Sequence, residues 1–459
     1  MMRQVIVVLD IGKTNIKVSA LALDNAECIE IQRSPNTVVN DDVYPKADID
    51  SIWEWFKGQL KNIAQHSDIR YITCTTHGAT AVCLSGVNVI LPVLDYEYEG
   101  VEELNSTYNS VRPEYQETAS PLLSAGLNLG RQLFWQSQKF PEQFSSCDTI
   151  LMYPQYWCWK LSGIKCSEVT SLGCHTDLWN PVKSEFSSMV TSLNWGEKFP
   201  EILKAGAPLG NILSELSEEL DINSNCQILN GIHDSNASLV PYLLSVKEPF
   251  NVISTGTWVI AASVGAQPNS MSEQMDMLYN VNAFSDPVAC MRFMGGREWE
   301  ILRGAETSSL EDLVRVLELE VMVVPSYTNQ GGPFRHHGGA VSGPIQQLSS
   351  NQHTALASLY CALMTDYCLE QLHSDGNIYI EGSFTNNSTF LKILQAFRQS
   401  QRVLKSVDST GTTLGAAILL DQIRSNVELK FESEEALSSD NVDQLLQYKH
   451  RWRKLITAL

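Results

Sequence analysis

Positive charge is scarce in this 459-residue chain: 32 Lys and Arg stand against 52 Asp and Glu, a net charge of −20. Nucleic-acid binding needs clustered cations that displace counterions from phosphates, so DNA and RNA are excluded as partners. No uninterrupted apolar run reaches membrane-spanning length. The stretch Val5 to Leu9, ahead of Asp10, is too short for the apolar region of a signal peptide. No membrane partner is therefore expected. The eleven cysteines contain no CxxC pair, and their odd number cannot all pair within one chain, so reduced thiols and a cytoplasmic location are the expectation. There is no Gly/Ser linker and no low-complexity tract. Charged residues make up only 18% against 44% hydrophobic, which excludes disorder.

What is present reads as α/β in two substantial lobes, since the length exceeds one ordinary core. Gln4 to Asp10 is a β-branched run that predicts a buried strand, and Ile16 to Leu23 predicts a second. The short link IGKTN between them predicts a hairpin. Ile52, Phe56, Leu60 and Ile63 recur at helical spacing before a strand over 70–75. Trp135, Trp157 and Trp159 mark two further helices. A second strand, small polar turn and strand begins near Phe250, which predicts a duplicated architecture with the boundary near residue 243. Beyond it, Leu356, Leu359, Leu363 and Tyr367 share one face of a helix, followed by a strand over 377–380 and a helix through Phe390, Ile393, Leu394 and Phe397. The turn STGTT at 409–413 opens a small-residue helix, and the chain ends in an amphipathic segment with Leu445, Leu446, Trp452 and Leu455.

Four sites could carry chemistry. The tripeptide GKT at 12–14 is not a phosphate loop of the GxxxxGK[ST] type, because position 7 is Val7 within a strand. What remains is Asp10 at a strand end before a turn of Gly12, Lys13, Thr14 and Asn15. That is either an ordinary hairpin or a turn presenting N–H groups and a hydroxyl to phosphate, with Asp10 near Mg²⁺. In GIHDSNASL at 231–239, Asp234 reads as a helix cap or as a base. STGTW at 254–258 repeats the small, hydroxyl-rich turn, and EGS at 381–383 lies between a strand and a helix where bare backbone could admit a nucleobase or ribose. The pair His336 and His337 lacks the further ligands a zinc site requires.

Taken in order, DIGKTNIK at 10–17, THG at 76–78, GIHD at 231–234, STGTW at 254–258, EGSFTNN at 381–387 and TTLGAA at 412–417 make the chain resemble the FGGY family of carbohydrate kinases over nearly its whole length. The resemblance implies a two-lobed, actin-like (ribonuclease H-like) ATPase fold with duplicated domains and a central cleft. Its domains would be 1–243, holding sugar, the first phosphate turn and the catalytic Asp, and 244–459, holding adenosine, with the last helix a candidate to pack back on the first lobe. It implies ATP and Mg²⁺ as cofactors, the metal at Asp10, directly or through water. Nucleotide and phosphate contacts would come from Gly12, Lys13, Thr14, Lys17, Thr255, Gly256, Thr257, Gly296, Gly382, Ser383 and Asn387. Sugar would meet His77, Gly78, Asp95, His233 and Asp234, with Asp234 as the catalytic base.

Three departures from the family pattern stand out. Lys17 stands where the family often has Arg, and so lacks the planar fork that grips phosphate twice. Phe384 replaces a small residue beside the adenosine position. At 91–100 the chain reads LPVLDYEYEG, with Asp95 but no adjacent Arg, and its acidic and hydroxyl groups suit a neutral polyol over an acid sugar. The chain is also compact for the family it resembles, which points to a ketose of five or six carbons, with deoxyketoses such as L-fuculose or L-rhamnulose among the candidates. The partners expected are a small sugar and ATP, with a homodimer left open. The rival readings are an actin-like or chaperone-like ATPase and a catalytically degenerate, sugar-binding regulator.

Overall fold

The β-branched run forms β1 (Arg3–Ile11), and every residue from Val5 to Ile11 is buried. The strand is covered on both faces, which is why its sequence is a continuous apolar run rather than an alternating one. Val5, Val7, Leu9 and Ile11 join the cluster that contains Ile52, Phe56, Leu60 and Ile63 of α1 (Ile49–Ala64). Ile6 and Val8 enter a second cluster on the opposite face. Asp48 caps α1 by accepting the Ser51 N–H at 3.1 Å. Phe56 is fully buried, which contributes about 2–3 kcal/mol. The structure, a computed structural model, describes residues 2–40, 43–328, 331–335, 337–407, 411–424 and 428–457.

The chain divides into two units. One comprises Met1–Ser245, Tyr279–Pro287 and Thr410–Glu428, and the other Val246–Leu278, Val288–Ser409 and Leu429–Leu459. In the first, β1 pairs antiparallel with β2 (Asn15–Ala22), which pairs with β3 (Cys28–Pro35), and β1 runs parallel to β4 (Ser67–Thr76). After α2 (Leu129–Lys139), α3 (Tyr153–Ser162) and α4 (Val169–Leu172) come β5 (Pro208–Asn211), β6 (Gln227–Leu229), β7 (Ile232–His233) and the short α5 (Asp234–Ala237). The sheet order is β5-β6-β4-β1-β2-β3, with β7 parallel to β4. Asp10 is level with Thr75, and His233 with Thr76, so the carboxyl ends of three parallel strands lie side by side.

The second unit repeats this plan. Here β8 (Phe250–Thr255) pairs antiparallel with β9 (Val259–Val264), which pairs with β10 (Pro287–Phe293). Three helices follow, α6 (Gly295–Leu302), α7 (Leu310–Glu318) and α8 (Ser350–Gln371). The chain then enters β11 (Asn377–Gly382), parallel to β8. Beyond it lie α9 (Ser388–Phe397), β12 (Val403–Ser406), β13 (Phe431–Glu432) and α10 (Ser439–Ile456). The sequence echo is thus a repeat of topology: a hairpin whose first strand is joined in parallel by a strand arriving after helix.

Three expectations about the chain's layout meet a different arrangement. The chain passes from the first unit to the second at Ser245–Val246, beside the expected boundary near 243, but it returns twice, and the helix Gly411–Ala417 belongs to the first unit. Its small residues allow this: a Cβ at Gly415 would overlap the Ala237 carbonyl oxygen, and Ala416 and Ala417 share a cluster with Ile6 and Val8. The last helix, expected as a candidate to fold back on the first lobe, is anchored in the second unit. Trp452 donates to the Val323 carbonyl at 2.7 Å, and Lys449 pairs with buried Asp366 at 2.6 Å. Finally, α8 is buried all round rather than along one stripe, because α6, α7, α9 and β9 pack on different sides of it.

His336, and Ser409 and Thr410 of the predicted turn, lie outside the described residues. Among the described residues no helix is long and apolar enough to cross a membrane, and no group of three His, Cys, Asp or Glu side chains is placed to hold a metal. Among the described residues no disulfide joins any of the eleven cysteines.

Candidate functional site

Strand ends assemble the first cluster. Asp10, 8% exposed, ends β1; its Oδ2 lies 2.9 Å from Lys17 Nζ and accepts the Thr412 hydroxyl at 3.1 Å. Lys17 faces Asp10 because the hairpin register pairs them. The ammonium expected on phosphate is therefore held at the carboxylate. In the turn, the Gly12 N–H donates to the Asn15 carbonyl at 2.9 Å, which leaves exposed Thr14 as the part able to meet a phosphate.

The THG segment is tied to this turn by the His77 N–H, which donates to the Ile11 carbonyl at 2.9 Å. The His77 ring meets Tyr96 and Tyr153, each at 5.3 Å between centroids. Burial lowers its pKa, while its bond to the Gly78 carbonyl and the charge of Asp234 oppose the shift. A Cβ on Gly78 would approach His233 Nε2 to 2.8 Å, so the glycine is what lets that imidazole in.

His233 is buried, and burial pushes its pKa down to about 4. Asn236 Nδ2 donates to Nδ1 at 3.1 Å, which places the ring proton on Nε2, 3.2 Å from Asp234 Oδ1. Asp234 opens α5 and accepts the Ser235 N–H at 2.6 Å, so it serves the helix start while remaining about a quarter exposed. Desolvation raises its pKa to about 6; His77 opposes this and the Asp10 carboxylate adds to it. A carboxylate poised near neutrality at the end of a strand is suited to proton transfer.

A buried carboxylate that the sequence did not single out braces this turn. Glu168 accepts the Thr170 N–H at 2.9 Å and its hydroxyl at 2.5 Å, and the same hydroxyl accepts the His233 N–H at 3.0 Å. Burial pushes Glu168 from 4.5 up to about 7. A raised carboxylate pKa means that its stabilising contribution is whole below pH 4.5 and is lost as pH rises through about 7. Glutamine does not titrate. The melting temperature of Glu168→Gln relative to the parent is therefore expected to rise between about pH 5 and about pH 8.5, by up to about 3 kcal/mol in stability. Thermal melts at the two pH values check this, and a pH-independent difference would remove Glu168 from the titration.

Lys13 was expected on phosphate with its neighbours, but its Nζ lies 2.7 and 2.5 Å from the two Asp95 oxygens. It thereby joins His77, Asp95 and Tyr96 around a small cavity of the first unit.

The second unit holds a cavity of about 890 Å³, the size of a small-ligand pocket. Gly256, Thr257, Gly296, Ser383 and Asn387, five of the residues proposed from sequence to meet nucleotide or phosphate, share its lining with Trp299 and Arg297. Thr255 and Gly382 shape it from behind. The Thr255 hydroxyl donates to the Glu381 carbonyl at 2.5 Å and accepts the Phe384 N–H at 2.9 Å, closing the two turns on each other. A Cβ on Gly296 would overlap the Gly256 carbonyl oxygen, so α6 starts directly against the turn.

Two lining residues behave differently from a simple ligand contact. The Asn387 side chain caps α9, accepting the Phe390 N–H at 3.0 Å and donating to Ser358 at 3.0 Å. Phe384, the departure beside the adenosine position, is 4% exposed and packs on Phe390 and Trp299 at 5.0 and 6.0 Å. Its bulk is thus absorbed by the core. Thr354, Ser308 and Thr389, which also line the cavity, carried no local motif and were not found from sequence.

Comparison with known proteins gives matches over both units. Residues 5–241 match the family model "FGGY family of carbohydrate kinases, N-terminal domain" and residues 247–428 match "Carbohydrate kinase FGGY, C-terminal domain". A crystal structure of a carbohydrate kinase from Novosphingobium aromaticivorans is 32% identical, with a TM-score of 0.92 over 100% of this chain and 99% of that one. A ligand-bound xylulose kinase from Lactobacillus acidophilus, 13% identical with a TM-score of 0.81 over 99% of this chain and 98% of its own, shares the fold. L-fuculokinase from Salmonella typhi is 23% identical over 271 residues, 57% of this chain and 56% of its own length, so the chain spans little more than half of that curated relative.

Proposed function

The chain belongs to the FGGY family of carbohydrate kinases, and from that premise we propose that it transfers the γ-phosphoryl group of ATP to a hydroxyl of a neutral ketose, with Asp234 as general base. The observation that carries this reading is Asp234 itself: a partly exposed carboxylate, raised to about 6, 3.2 Å from the His233 imidazole and within electrostatic reach of Asp10 and His77. Phosphoryl transfer asks the protein for positioning and charge rather than covalent chemistry. Asp234 accepts the proton of the acceptor hydroxyl as its oxygen attacks, while the His233 Nε2–H holds the carboxylate's other side. The cavity of the second unit receives the nucleotide, with Trp299 offering an aromatic face and the 255–257 turn standing against α6.

Asp10 fits a magnesium ion: Lys17 and Thr412 occupy Oδ2, leaving Oδ1 without a partner among the described residues, and one carboxylate plus waters and phosphates is the usual Mg²⁺ donor set. When bound, the metal neutralises phosphate charge. The ketose assignment draws support from the matched relatives named L-fuculokinase and xylulose kinase, names that refer to ketoses.

The test is ADP release with Mg²⁺ and ATP across ketoses, polyols and aldonates. Release that requires one class of neutral sugar is expected. Release independent of sugar would transfer the protein to the ATPase reading, and nucleotide binding without release to the regulator reading.

A further inference from the structure

Lys13 is a cation in an unexpected place. Its ammonium meets both Asp95 oxygens at 2.7 and 2.5 Å, Glu97 Oε2 at 3.2 Å and the face of Tyr96 at 4.7 Å from the ring centre. Asp95 also accepts the Glu97 N–H at 2.8 Å. The ion pair is mostly withdrawn from water, with Asp95 10% and Lys13 22% exposed. It fronts a cavity shared with His77, Thr80 and Asn36, and Tyr96 stands edge-on to the His77 ring.

We propose that the Lys13–Asp95 pair is the charge gate of the acceptor site, through which the wall reads neutral hydroxyls and rejects acid sugars; the inference rests on the kinase reading above. An ammonium has three donors: Asp95 takes two at short range, and the third meets Glu97, whose side chain is 67% exposed and can yield its place to a sugar hydroxyl. A sugar hydroxyl can accept from the ammonium's edge and donate to the carboxylate without separating the pair. A carboxylate ligand cannot. It would have to displace Asp95 and leave that charge unpaired in a nearly dry position, where the desolvation cost exceeds the ligand's attraction to Lys13. Removing the charge of Asp95 reverses the logic: Lys13 then lacks its main partner and becomes a half-buried receptor for a carboxylate.

The experiment measures binding of labelled gluconate by equilibrium dialysis, which needs no turnover, to the parent, Asp95→Asn and Asp95→Asn/Lys13→Met, each checked for folding by thermal melt. Asp95→Asn is expected to bind gluconate at least about tenfold tighter than the parent, the factor that ~1.4 kcal/mol represents. The double variant is expected to lose that gain. Unchanged affinity in folded Asp95→Asn, or a gain that survives removal of Lys13, overturns the gate, and Asp95→Ser is read in the same way where the asparagine does not fold. ADP release by the parent is followed in parallel. Its absence with every sugar would defeat the kinase reading, whereas an unmoved gluconate affinity with sugar-dependent release intact would defeat the gate alone.

Discussion

Asparagine at position 234 is expected to lower kcat by about 10²- to 10⁴-fold, the range for loss of a positioned general base. The KM for ATP should hardly move, since the cavity proposed to receive the nucleotide is lined by residues of the second unit. The pH profile separates a base from a merely structural carboxylate. Asp234 must be ionised to accept a proton, so kcat/KM of the parent is expected to rise through about pH 6 and level off above it. The Asp10 carboxylate helps raise that value, so a cation held by Asp10 would move the limb toward acid. The residual activity of Asp234→Asn should lack the limb altogether.

Stability should move the other way. The folded-state pKa lies above 3.8, so the contribution of Asp234 is whole below that pH and lost as pH rises through about 6. At neutral pH the asparagine variant is therefore expected to be more stable, by up to about 3 kcal/mol. A variant with undiminished kcat would remove Asp234 from the base role.

Alanine at 382 is expected to abolish tight nucleotide binding. Gly382 has φ of +83° and ψ of −151°, a region open essentially to glycine alone, so any side chain there costs about 1–3 kcal/mol. A Cβ would also overlap the Thr255 carbonyl oxygen. The clash cannot be relieved by a rotamer, because backbone meets backbone between β11 and β8. Thr255 must shift, and Gly256 and Thr257, which line the cavity, shift with it. Affinity for a non-hydrolysable ATP analogue should fall by about a hundredfold or more, equivalent to ~2.7 kcal/mol, as read by calorimetry. Gly256→Ala is the contrast: a Cβ there meets nothing within 4 Å, so it should fold and melt like the parent. Equal melting-temperature losses in the two variants would refute the geometric account.

Local sequence was enough for the strands and helices whose signal is periodic. The apolar runs at β1 and β8, the 52, 56, 60, 63 spacing of α1 and the small turns at 12–15 and 255–257 all lie where the residues placed them. The six ordered motifs contain Asp10, His77 and Asp234, and those at 254–258 and 381–387 contain Gly256, Thr257, Ser383 and Asn387, which share the lining of the second unit's cavity. What the sequence could not settle depends on partners far along the chain. The helix Gly411–Ala417 joins the first unit, and Thr412 reaches Asp10, 402 residues away, because small side chains permit a close backbone approach. Glu168 braces the GIHD turn through Thr170, 63 residues from His233. Lys13 turns from the phosphate side to Asp95 because two carboxylates 82 and 84 positions later offer a half-buried ammonium better compensation than solvent does. Periodicity and turn chemistry act over a few residues and can be read in order, whereas ion pairing and burial act through space and exist only once the chain is folded.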